Sequence, residues 1–101
     1  MEKEKDKQLE RVYKKNPDVV YRVIAGESIL LPISRETQAV GRMLTLNEVG
    51  AFIWERLDGK RTLAALLAEI EDEYDVKPDT ARRDLLELIG SLKEARVIMP
   101  V

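Results

Sequence analysis

Up to Leu46 the apolar residues of this chain come in short β-branched runs, and from Asn47 onward they recur at helical spacing. That change of period constrains the fold more than any other feature. It predicts a sheet built from the first half and a helical unit built from the second. On the β side, Val19, Val20, Tyr21, Val23 and Ile24 form one run, and Ile29, Leu30, Leu31 and Ile33 form another. Ala25-Gly26-Glu27 between them is a tight turn, so residues 19–24 and 28–33 read as a β-hairpin. Pro32 cannot donate to a ladder and should sit at a strand end or on an unpaired side. Residues 34–41 are polar and read as a loop. Arg42 to Leu46 reads as a third strand, with Leu44 and Leu46 on one face and Met43 and Thr45 on the other.

On the helical side, Asn47 is a good N-cap with Glu48 in the first turn. Val49, Ile53 and Leu57, flanked by Phe52 and Trp54, give the first stripe, and Asp58-Gly59 ends it. Thr62 caps a second helix, whose stripe is Leu63, Leu66, Leu67, Ile70 and Tyr74 and whose outer face carries Glu69, Glu71, Asp72 and Glu73. Pro78 suits the first turn of a third, with a stripe of Ala81, Leu85, Leu88, Leu92 and Ala95. Helices are thus expected over 47–57, 62–74 and 78–95, and 97–99 as an extended tail. The predicted class is α+β: a three-stranded antiparallel sheet followed by a three-helix unit of winged helix-turn-helix type.

Composition removes several functions. With 101 residues the chain is one domain. It has no Cys and no His, so it lacks a thiolate nucleophile, a disulfide and the commonest general base at neutral pH. No metal site and no cofactor is expected. The carboxylates of the second helix are a solvated face and need no catalytic explanation. There is no long apolar run and no signal-peptide core, which fits a cytoplasmic protein. The net charge of −2 exerts no bulk pull on nucleic acid or anionic lipid. Residues 1–16 mix Lys, Arg, Glu and Asp and read as a charged, solvated tail, with the domain spanning 17–101.

The segment from Leu44 to Ile98 resembles the PqqD-like family. The shared pattern is Leu46-Asn47, then Gly50, Ala51, Phe52, Ile53 and Trp54, then Asp58, Gly59, Arg61 and Thr62, then Tyr74, Val76 and Pro78, and then Asp84. Most of these residues are structural: Asn47 caps, Gly59 turns and Trp54 fills the core. The resemblance covers about residues 19 to 99. It implies a precursor-peptide recognition element: a non-enzymatic peptide chaperone that binds the leader of a ribosomally made peptide and presents it to a modifying enzyme, often a radical-SAM protein, as in pyrroloquinoline quinone biosynthesis. The leader is expected to add as a strand to Arg42, Met43, Leu44, Thr45 and Leu46, in a groove walled by the third helix. An uncovered edge strand is a template for such pairing.

For that wall the third helix offers a second face, Arg82, Leu86, Ile89 and Lys93, about 100° round from its core stripe. Leu86 and Ile89 could equally widen the stripe, and the resemblance favours the groove. Acidic leader residues would then meet Arg82 or Lys93. The rival function is a winged-helix DNA-binding regulator. Leu86, Glu87 and Gly90 on the third helix, and the acidic second helix, disfavour it. Exposed hairpins leave both a monomer and a strand-exchanged homodimer open.

Overall fold

Asn47 and Thr62 start their helices as their side chains dictate. The Asn47 Oδ1 accepts the Gly50 N–H at 2.7 Å, and the Thr62 hydroxyl oxygen accepts the Ala65 N–H at 3.1 Å. In the computed structural model, which describes residues 7–33 and 43–101, the helices are α1 (Glu48–Glu55), α2 (Leu63–Glu73) and α3 (Pro78–Glu94). All three lie where the period placed them, and Pro78 stands in the first turn of α3. Gly50 sits at a close approach. A Cβ there would lie 3.2 Å from the Asn47 cap oxygen and 3.3 Å from the Leu46 Cβ.

The strands are β1 (Val12–Lys15), β2 (Val19–Ile24), β3 (Glu27–Pro32), β4 (Leu44–Leu46), β5 (Asp58–Thr62) and β6 (Ile98–Pro100). They form two antiparallel sheets in the orders β2-β3-β4 and β5-β1-β6. The first is the expected sheet, and its helices follow it as expected. Pro32 is the last residue of β3. Arg42 and the polar loop over 34–41 lie outside the described residues. Ala25 and Gly26 at the hairpin tip both have positive φ, 52° and 82°, as a two-residue type I′ turn requires.

The second sheet corrects two expectations. Val12 to Lys15 do not belong to a solvated tail: they form the central strand of β5-β1-β6, and Tyr13 is only 3% exposed within the core. Residues 97–99 are likewise no loose end. Val97 is fully buried, and Lys15 pairs with Ile98. Charge masked the first of these strands, because one buried aromatic among lysines leaves no alternating pattern. Asp58 helps shape β5. Its Oδ1 accepts the N–H groups of Lys60 and Arg61 at 2.9 and 3.1 Å, and these bonds hold its pKa below the ordinary aspartate value.

The chain enters β6 through a Schellman ending of α3. The Arg96 N–H donates to the Lys93 carbonyl at 3.0 Å and the Val97 N–H to the Leu92 carbonyl at 3.1 Å, with Arg96 at φ 62°. Asn16 clasps this turn, donating from Nδ2 to the Arg96 carbonyl at 2.8 Å. A left-handed arginine is strained where glycine is not. Arg96→Gly is therefore expected to stabilise the fold by about 0.5–1 kcal/mol, read as a higher urea midpoint at unchanged slope. A lower midpoint would contradict this account of the turn.

One core unites both sheets and all three helices. It contains Tyr13, Leu30, Leu46, Trp54, Leu66, Leu85, Ile89, Leu92 and Val97, among others. Trp54 is buried, with its ring 6.3 Å from Tyr21 and the Lys15 ammonium 5.5 Å above it. Arg56 ties α1 to α2, bonding Glu69 at 3.2 Å while its guanidinium lies over the Phe52 ring. No described helix is long and apolar enough to cross a membrane.

Candidate peptide-binding edge

Hydrogen-bonding direction alternates along an antiparallel ladder, so the turn at Ala25-Gly26 sets which groups reach each side. A two-residue turn makes Ile24 and Glu27 a hydrogen-bonded pair. Arg22 with Ile29 and Val20 with Leu31 are then the next such pairs. Ser28 and Leu30 accordingly turn their backbone groups toward β4, where they face Leu46 and Leu44. Thr45 is left with its N–H and C=O pointing away from β3. Among the described residues no strand pairs with that side. Leu46 is buried, Leu44 is half-buried, and the Thr45 side chain is exposed on the opposite face. Met43 just before them is exposed.

Beyond β4 the chain runs into an apolar cleft of about 380 Å³ between the first turn of α1, the end of α2 and α3. Asn47, Gly50, Ile53, Leu85 and Leu88 line it, with Asp84, Glu87 and Ser91 at its α3 side. A shallower hollow continues from it past Asn47 and Tyr74 toward the hairpin, lined by Thr45, Phe52, Glu27, Glu48 and Glu55. Phe52 and Tyr74 meet edge-to-face with ring centres 5.4 Å apart. Burial of the Tyr74 phenol raises its pKa above the ordinary tyrosine value, and the negative charges of Glu48 and Glu73 push it further in the same direction.

The face of α3 expected to wall a groove at β4 lies elsewhere. Leu86, Ile89 and Lys93 line a separate hollow with Gln8, Arg11 and Tyr13, and the Lys93 ammonium stands 5.7 Å from the Tyr13 ring centre. Ile89 is 3% exposed and belongs to the core. Arg82 sits further along the same flank, pairing with Asp79 at 3.7 Å. The structure therefore brings Leu86, Ile89 and Lys93 to β1 and not to β4. The reason is β1 itself, which covers the Ile89 side of the helix. Leu88, placed in the core stripe by its spacing, is half-buried and opens onto the cleft. At about 100° per residue, the Asp84–Leu88–Ser91 flank is roughly opposite the Arg82–Leu86–Lys93 flank. The sequence reading missed Asp84, Leu88 and Ser91 as cleft residues. Their signal was present as a polar-apolar-polar flank, but nothing local distinguishes it from the other one.

The family model of PqqD, Coenzyme PQQ synthesis protein D, matches residues 27–98. The chain belongs to the PqqD family. Curated relatives of this PqqD-family chain include proteins named "PqqA binding protein" from three strains of Xanthomonas oryzae pv. oryzae, PXO99A among them. The match is 30% identical over 57 residues, which is 56% of this chain. It spans 62% of the length of those relatives. Among solved structures, TbiB1 in complex with the TbiA(β) leader peptide is similar at 26% identity and a TM-score of 0.66, covering 84% of this chain and 93% of that one. A lasso peptide synthetase B1, complexed with its leader peptide, shares the fold at 24% identity and a TM-score of 0.69, covering 87% and 98%.

Proposed function

We propose that this PqqD-family chain binds the leader segment of a ribosomally made precursor peptide as a strand added to β4, and presents it to a modifying enzyme. The observation that carries the reading is the open backbone edge at Thr45, a residue lining the hollow that shares Asn47 and Tyr74 with the apolar cleft beside Leu88. An extended peptide satisfies its own backbone on such an edge, and its alternate side chains enter the adjoining cleft. The names of the relatives support this reading: one group binds PqqA, and TbiB1 was captured with a leader. Met43, Leu44, Thr45 and Leu46 form the pairing edge in this account, and Arg42 precedes it. Leu88, with Asp84 and Ser91 beside it, replaces Leu86 and Ile89 as the wall.

The chain performs no turnover of its own here. It acts by raising the local concentration of precursor beside an enzyme, of which a radical-SAM protein is one candidate class and a lasso-type assembly another. The test is a reconstituted reaction with the enzyme and precursor encoded beside the gene. At micromolar precursor, adding the chain should raise the modification rate by about tenfold or more, since a tethered substrate reaches millimolar effective concentration. Equal rates with and without the chain would remove the presenting role.

A further inference from the structure

Among the described residues, the linings of the cleft and of the hollow continuous with it contain five carboxylates, Glu27, Glu48, Glu55, Asp84 and Glu87, and no Lys or Arg. Overall composition does not account for this, because the chain carries 17 cationic against 19 anionic side chains. Of the described cations, Arg11 and Lys93 line the hollow at β1, Arg82 and Arg83 line one that shares only Glu87 with the cleft, and Arg56 stacks behind Phe52. Two of the five carboxylates have a cation nearby: Glu55 with Arg56 at 3.8 Å and Asp84 with Arg83 at 3.6 Å. Both carboxylates are more than half exposed, so neither pair is a strong one. Glu27, Glu48 and Glu87 have no cation within 4.0 Å among the described residues. Nor do the acids converge on a point. No three acidic side chains among the described residues are grouped to hold a metal ion. They form a rim around an apolar floor, which suits an extended charged ligand and not a single ion.

We infer that the leader taken at this edge is a cationic one, with an aliphatic or aromatic side chain for the cleft beside Leu88 and Lys or Arg flanking it to meet the rim of Glu27, Glu48, Glu55, Asp84 and Glu87. The inference rests on strand addition at β4 and adds the charge class of the ligand. Same-face neighbours in a strand are two residues apart, so the cations belong about two positions from the anchor. The charge pattern opposes an acidic leader through like-charge repulsion, which gives discrimination as well as attraction.

A random 12-residue display library selected on the full chain tests this. Selected peptides should be enriched in Lys and Arg about two positions from an aliphatic or aromatic residue. Replacing two such cations with Gln should weaken binding roughly 3–10-fold, and replacing them with Glu should weaken it further. Raising NaCl from about 50 to 500 mM should weaken the parent peptide and spare the Gln version. The double variant Asp84→Asn, Glu87→Gln, altered only at exposed positions, should narrow the gap in affinity between the parent and the Gln version, with Glu27, Glu48 and Glu55 keeping the remainder. Peptides that require the Thr45 edge, losing affinity with Thr45→Pro, yet show no cationic excess and bind the double variant unchanged would overturn the charge inference and leave strand addition standing. Peptides indifferent to Thr45→Pro, or a selection that yields none, would overturn both.

Discussion

Tyr13→Ala is expected to cost about 3–5 kcal/mol of folding stability, the range for removing a buried aromatic side chain. For a domain of this size that is a large part of the total. Tyr13 is 3% exposed and sits on the central strand of β5-β1-β6, with Lys93 over its ring. Its loss would open a cavity where β1 meets α3. Lys14→Ala, on the same strand with an exposed side chain, should change stability by less than about 0.5 kcal/mol. Urea unfolding of both variants checks the contrast. A cost below about 1 kcal/mol for Tyr13→Ala would mean that the N-terminal strand is not part of the cooperative fold.

The second large effect concerns binding. Thr45→Pro removes the one described β4 N–H that faces the open side and leaves the β3 ladder intact, because Leu44 and Leu46 make the bonds to Leu30 and Ser28. One lost hydrogen bond contributes about 0.5–1.5 kcal/mol, and a leader carbonyl left unpaired adds about 1–3 kcal/mol. Affinity for the leader should therefore fall by about 10–1000-fold while the domain stays folded. Leu44→Pro is the contrasting variant. It removes a bond that β3 uses, and so it should destabilise the protein itself. Calorimetry with the leader and thermal melts of both variants separate the two effects. A folded Thr45→Pro protein that binds leader normally would place the peptide elsewhere.

Much of this architecture is legible locally. Asn47, Thr62 and Pro78 mark helix starts because capping and N1 chemistry are properties of single residues. The hairpin of β2 and β3 is legible because its residues are β-branched and its turn contains glycine. β1, β5 and β6 are not. Asp58 to Thr62 is polar throughout, Ile98 to Pro100 is too short for a pattern, and Val12 to Lys15 has one buried side chain. Their strand state comes from pairing across the chain, Val12 with Thr62 and Tyr13 with Pro100. That gap propagates to the site. Leu88 and Ile89 flank the Leu85–Leu92 line of α3 on its two sides, and only the presence of β1 decides which is buried. Without β1 the basic flank and the acidic flank are equal candidates for the wall.

Among the described residues, sheet β2-β3-β4 has two open edges. The ladder alternation leaves Thr45 facing outward on one and Tyr21 and Val23 on the other, where Val23 is 60% exposed. Residue-resolved amide hydrogen exchange with and without leader distinguishes them directly. Strand addition at β4 predicts that exchange at the Thr45 N–H slows by about tenfold or more when leader is bound, while Tyr21 and Val23 exchange as before. Slowing at Tyr21 and Val23 with Thr45 unchanged would contradict the account.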